Sequence, residues 1–331
     1  MKIFPIFTLL FFSACATSGS AVPQWVNNPH KQYSPEKYLV AIGEGVSRSV
    51  ASDSAKTELF AFIRQQVTTS TSSSYNATVS DEDYSLSQTV KSTSSFNSVV
   101  GVRVAETCTV NGIFYALAVL DKAQTAAYYT RKIMENNEEI EKLRSIAGEN
   151  LQIEGLLSLR RAMGIAEENR DFHDILNAVN PAAAKTTPVL SPMTLQTEAQ
   201  IYGEKIHITG ITKLVGEIND ESRLRSAMEK SMGKFGLKIL FTNGKTIATP
   251  YKLETTLTVI PLETKNEMLF ARYELVSNLT EVKNGKVLFS FSRSNREAHV
   301  HKPGLHTIIL RSVEEKFATE FFTELEEKFL L

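Results

Sequence analysis

Two helical stretches in the middle of the chain decide how the rest must be arranged. "KAQTAAYYTRKIMENNEEIEKLRSIAGEN" and "LQIEGLLSLRRAMGIAEENRDFHDILNAV" each hold helical spacing for about seven turns and part only near Gly148-Glu149-Asn150. A join that short predicts an antiparallel helical hairpin over residues 122–179. Strand-like patterns stand on both sides of it. The 331 residues also exceed what one core usually holds. The expected class is α+β: two small antiparallel-sheet/helix domains, 23–121 and 193–331, joined by the hairpin. "NPAAAKTTPVLSP", with three prolines, reads as a Pro-rich linker over 180–192.

Within the first domain "KYLVAIGEGVS" reads as a buried strand that ends in a Gly turn. "SRSVASDSAKTELFAFIRQQV" reads as a helix capped by Ser47 or Ser49, with Ala51, Ala55, Leu59, Phe62 and Ile63 along one side. "VTTSTSSSYNATVS" alternates from Val67 to Val79 and is rich in Thr, which predicts a strand with a polar outer face. "VVGVRVAETCTVNGIFYALAVLD" is a hairpin turning at Asn111-Gly112, the pair that type I′ turns demand.

In the second domain "LQTEAQIYGEKIHITGITKLV" supplies strand material. "DESRLRSAMEKSMGKFG" is a helix with Asp220 as N-cap and Gly236 beyond its end. Four strands follow, from "LKILFTN" to "KVLFSFSRSNREAHV", the last two joined at Asn284-Gly285. A closing helix from about Leu305 puts Ile309, Val313, Phe317, Phe321, Leu325 and Phe329 on one apolar face.

The chain opens "MKIFPIFTLLFFSACATSGS". Its apolar run, interrupted by Pro5, is too short for a membrane span. Lys2, the run, and the small residues Ser13-Ala14 read as an export signal over residues 1–14. "FSAC" resembles the lipobox of bacterial lipoproteins, with Phe12 in place of the usual Leu. That resemblance implies that Cys15 is lipidated, receiving a diacylglyceryl group as the first mature residue. Residues 15–22 then form a short lipidated tether. Among 36 Lys and Arg and 37 Asp and Glu no basic block occurs, so the chain shows no footprint for nucleic acid and no polybasic lipid-binding segment. Attachment to the bilayer rests on the acyl chains alone, two or three of which make an anchor stable. Cys108, the second of two cysteines, has no partner for an intramolecular disulfide and reads as a small buried hydrophobe.

"PQWVNNP", the Gly-x-Gly of "IGEG", the Ala-rich helix and the final "YALAVLD" together resemble the bacterial twenty-kilodalton outer-membrane lipoprotein family over residues 23–121. The resemblance implies an envelope lipoprotein; several relatives of that kind build rings or discs around the flagellar motor. "YKLETTLTV" and "ARYELVSNLTEVKNGKVLFSFSRSNREA" with the closing helix are more loosely similar to the periplasmic module of penicillin-binding-protein activators, curli-secretion lipoproteins and TolB-type N-terminal domains. Those modules bind protein partners. Where they often carry Trp-Ser, this chain has Phe289-Ser290-Phe291.

No motif for catalysis stands out. His299-Val300-His301 puts two imidazoles on one strand face with His306 nearby, short of the three or four ligands a metal typically needs. "IGEG" lacks the third Gly of a dinucleotide fingerprint, and "NGKT" at 243–246 lacks the early Gly of a P-loop. Glu138-Glu139 reads as a solvated face with a Glu138–Lys142 pair. The expected role is therefore non-enzymatic, without catalytic, cofactor or metal site: an assembly or scaffold component meeting envelope proteins and copies of itself. Ala16, in place of an Asp after Cys15, points to the periplasmic face of the outer membrane. A regulator of a peptidoglycan synthase, or a hydrolase using His299 or His301, are the alternatives.

Overall fold

The computed structural model describes residues 22–74, 99–149, 152–241, 248–262, 264–265 and 267–330. After a short turn of helix, α1 (Gln24–Asn27), come β1 (Tyr38–Gly45), α2 (Arg48–Ser74), β2 (Arg103–Val110) and β3 (Ile113–Asp121). Two long helices follow, α3 (Lys122–Glu149) and α4 (Ile153–Val179), then α5 (Pro181–Thr186) and α6 (Pro192–Glu204). The remainder is β4 (His207–Val215), α7 (Glu221–Lys234), β5 (Lys238–Phe241), β6 (Tyr251–Pro261), β7 (Leu269–Glu281), β8 (Val287–His299), α8 (Lys302–Lys316) and α9 (Phe322–Leu330). Helices and two separate sheets make the class α+β, as expected.

The chain forms two compact units, residues 1–135 with 168–189 and residues 136–167 with 190–331. The helical pair is therefore not a module of its own. Tyr129 and Ile133 of α3, with Ile175 and Leu176 of α4, join the core of the first unit. Ile140 and Leu143 of α3, with Ala162 and Ala166 of α4, cluster in the second. Both helices carry buried apolar positions along most of their length, and each unit uses its share.

The first unit has a three-stranded antiparallel sheet in the order β1-β3-β2. Asn111 (φ 51°) and Gly112 (φ 80°) turn β2 into β3 with both central residues left-handed, as a type I′ turn requires. Helix α2 starts where Ser47 Oγ accepts from Val50 N–H at 3.3 Å. Its Ala51, Ala55, Leu59 and Ile63 are fully buried while Phe62 is exposed. Gly43 of β1 lies directly beneath: a Cβ there would stand 2.1 Å from Ala55 N and 2.4 Å from Ala51 O. The Gly-x-Gly thus lets a helix backbone approach a strand.

Three sequence expectations fail here, the last of them at the start of the second unit. The Thr/Ser run does not begin a strand at Val67; α2 continues to Ser74. Val67 follows Leu59 and Ile63 at helical spacing and is buried with them, and Thr68 Oγ1 donates back to Arg64 O at 3.0 Å. The rest of that predicted strand, 75–79, lies outside the described residues. The supposed linker also folds. Asn180 caps α5 by accepting from Ala183 N–H at 3.1 Å, Pro181 takes the first helical position, and His173 Nε2 meets Ala184 O at 3.1 Å. Pro192 likewise opens α6, so the stretch before β4 is helix rather than strand.

The second unit has a five-stranded sheet in the order β5-β4-β6-β7-β8. β6, β7 and β8 pair antiparallel, but β4 pairs parallel with β5 and β6. A helix between β4 and β5 carries the chain back to its starting end, so their pairing is parallel. Asp220 caps α7 through Ser222 N–H at 3.2 Å and Gly236 is left-handed beyond its end (φ 75°), both as the sequence indicated. One sheet face, with Leu257, Tyr273, Leu275, Phe289 and Phe291, packs on Met228 and Met232 of α7 and on the closing helices.

Ile309, Val313, Phe317, Phe321 and Leu325 repeat every four residues, and all are buried. An α-helix overshoots by about 40° at each such step, which would carry Leu325 far off the sheet. The chain answers with a π turn over Phe317–Phe321 between α8 and α9, where the wider winding absorbs the overshoot. Two carbonyls there are met by side chains of α7: Ser231 Oγ donates to Phe317 O at 2.8 Å and Lys234 Nζ to Ala318 O at 3.0 Å.

Gly43→Ala should destabilise the first unit by about 3 kcal/mol, since a helix backbone cannot move aside as a side-chain tip can; urea unfolding of the variant measures this. Ser231→Ala removes one hydrogen bond to the buried Phe317 carbonyl, and about 1 kcal/mol should be lost from the second unit in the same assay. Burial raises the Asp174 carboxyl from 3.8 to about 6, against a smaller opposing pull from Arg170. The folded state thus holds this proton more tightly than the unfolded one, so the group favours unfolding at neutral pH and that bias fades as pH falls from 6 to 4. Asp174→Asn should raise stability at pH 7.5 by up to roughly 3 kcal/mol, with the gain vanishing at pH 4 in pH-dependent thermal melts.

Candidate functional site

Cys15, the residue on which lipidation depends, lies outside the described residues, as does "NGKT" at 243–246. The described residues begin at Val22, and α1 carries Trp25. No helix among the described residues is long and apolar enough to cross a membrane.

His299 and His301 come together where β8 meets α8, their Nδ1 atoms 2.6 Å apart. Their rings stack at 4.3 Å between centroids and 20° between planes. Ring-nitrogen lone pairs lie in the ring plane, so stacked imidazoles aim theirs side by side rather than at one ion. His306 stands apart within α8. It acts on Glu217, whose carboxyl is held below its usual range mainly by hydrogen bonding to Lys302, then by the charges of Lys302 and His306. Among the described residues no three His, Cys, Asp or Glu are grouped to hold a metal. Cys108 is half-buried in β2, a thiol outside any disulfide. The Glu138–Lys142 pair is not formed; Lys142 meets Glu139 instead, at 3.5 Å.

A groove of about 780 Å³ in the second unit is lined by Arg160 and Met163 of α4, Gln200 and Glu204 of α6, and Lys234 to Lys238 at the end of α7 and just beyond it. Arg160 was not singled out by sequence, yet it organises this wall. Its guanidinium donates to Lys234 O at 2.8 Å, lies over Phe235 at 4.3 Å and reaches Glu326 at 3.7 Å. A positive group at the C-terminal end of α7 also complements the helix dipole. Arg160 therefore closes a helix end, and the groove's lining contains no Ser, Cys or His.

The sheet edges are the other open surface. β5, at one end of the second sheet, is four residues long; β8, at the other, is thirteen. Along β8 the inward residues Phe289 and Phe291 are buried, while Ser290, Ser292 and Ser294 are exposed. Arg293 is drawn onto the closing helices by Glu320 and Glu324 and its guanidinium lies over Phe291 at 4.5 Å. Hydrogen bonds from Lys316 and from Arg293 hold the Glu320 carboxyl below its usual range. Arg296 rests over Phe270 of β7 at 4.3 Å. This arrangement presents backbone donors and acceptors along a strand that is uncharged from Val287 to Ser292, the chemistry of strand addition.

No curated protein matches this chain. Among solved structures, the secreted protein HP1454 from Helicobacter pylori is 14% identical, with 89% of this chain and 99% of that one covered and a TM-score of 0.46. Lipoprotein GNA1162 from Neisseria meningitidis is 18% identical over 34% of this chain and 98% of its own, TM-score 0.24. The PelC dodecamer from Paraburkholderia phytofirmans is 12% identical over 34% of this chain and 83% of its own, TM-score 0.27. A family model also matches, that of the LPP20 lipoprotein, over residues 23–121. The stretch from the Pro-x-Trp of α1 to the end of β3 is thus similar to the LPP20 lipoprotein family, as its Gly-x-Gly and Tyr-Ala-Leu-Ala features led us to expect.

Proposed function

We propose that this chain is a non-enzymatic lipoprotein of the cell envelope, held on the periplasmic face of the outer membrane by acyl chains on Cys15. There it serves as an assembly or scaffold component through contacts with other envelope proteins and with copies of itself. The observation that carries this reading is the LPP20 lipoprotein match, which begins at residue 23, eight positions after the cysteine of "FSAC". The domain and the acylation signal point to one attachment, and the tether between them spans at most ~25 Å. A near-neutral surface adds no electrostatic pull to the bilayer, so the acyl chains alone hold the body there. Ala16 favours the outer membrane. Open strand edges in both sheets supply the surface through which partners would add.

Cys15→Ala should move the protein from the membrane fraction to the soluble periplasm and abolish incorporation of labelled palmitate. Retention of the variant on membranes, or a mature N-terminus free of fatty acid by intact-mass analysis, would refute the anchor.

A further inference from the structure

We infer that the outer edge of β8 pairs with the β8 of a second copy of this chain, antiparallel, about a two-fold axis at Ser292. This rests on the reading above that the protein works through protein contacts, and it names the surface and the occupant. Strand β8 pairs with β7 alone, and no strand among the described residues meets its other side. Proteins blunt such edges by keeping them short, charged or bulged. β5 is short, and β2 carries a bulge together with Arg103 and Glu106. In β8 the single register shift falls at the very start, near Val287. From Val287, 54% exposed, to Ser292 the edge has neither a charge nor a proline. The first charge along it, Arg293, is turned onto Glu320 and Glu324 and does not guard it.

The charge pattern is compatible with a second copy in this register and excludes the two adjacent ones. An axis through Ser292, perpendicular to the sheet, sets Ser290 opposite Ser294, Leu288 opposite Arg296 and Val287 opposite Glu297, so no like charges face each other. Moving the axis to Phe291 would set Lys286 against Arg296, and moving it to Arg293 would set that residue against itself. Phe289 and Phe291 already fill the core of their own unit, which leaves backbone hydrogen bonds as the main offer to a partner. An identical strand, uncharged over its first half, accepts that offer and satisfies both edges at once. Such isologous two-fold pairing is the commonest form of association, and it would join the two five-stranded sheets into one.

The test uses the full chain in detergent, with Cys108→Ala as background. Ser292→Cys should form a disulfide-linked dimer on mild oxidation, because residues on the axis bring their Cα atoms to about 5 Å, within disulfide reach. Ser290→Cys should not, its two copies being offset by roughly 13 Å along the strands. Ser292→Lys should weaken the dimer by at least about ten-fold in sedimentation, with an unchanged circular dichroism spectrum. A monomer at tens of micromolar, or equal cross-linking at both serines, would overturn this pairing. Neither result bears on membrane attachment through Cys15, so the two readings fail separately.

Discussion

Neither unit has a complete core without the long helical pair. Tyr129, Ile133, Ile175 and Leu176 finish the interior beneath the first sheet, while Ala147, Ile153, Leu156 and Leu157 belong to the interior of the second. Because α3 and α4 each contribute to both cores, excising the chain at the end of β3 would remove part of the first unit's own interior. The LPP20 match stops at that point, at residue 121. The family-like stretch is therefore smaller than the physical unit that houses it. Each buried apolar side chain of this size contributes ~1.5–3 kcal/mol, and the stability of a whole domain is only ~5–15 kcal/mol, so the helical halves are integral to it.

Local chemistry made much of the fold legible. Asn111-Gly112, Asp220 and Gly236 each announce a backbone state that few other residues favour, and each turned out where expected. The apolar and polar alternation of β6 and β7 survives as one buried and one open face. What escaped was decided by context. Prolines 181 and 192 were read as breakers, yet the first position of a helix is where proline fits best, and Asn180 before Pro181 was a cap in plain view. Val67 to Ser74 carries strand-like residues, but Val67 had already joined the spacing of Leu59 and Ile63, and packing outweighed propensity.

The site was legible in a different measure. The lipidation signal at Cys15 is a matter of order along the chain and needs no fold. The two histidines do meet, as their spacing suggested, but their rings stack. Arg160 and Arg293 had no sequence signature, because their partners Glu326, Glu320 and Glu324 come from the distant closing helix. Which strand would be left at a sheet's edge was equally hidden. It depends on the parallel return of β4 beside β6, which sends β8 to the outside.

The π turn makes the end of the chain sensitive to counting. Removing one residue between Phe317 and Phe321 would restore ordinary helical winding and leave α9 in nearly its present phase, because the wide turn takes up a single extra position. Leu325 would then stay against the sheet. A homologue that gains or loses one position elsewhere in this helix would instead turn everything beyond it by about 100° and must re-space its phenylalanines to match.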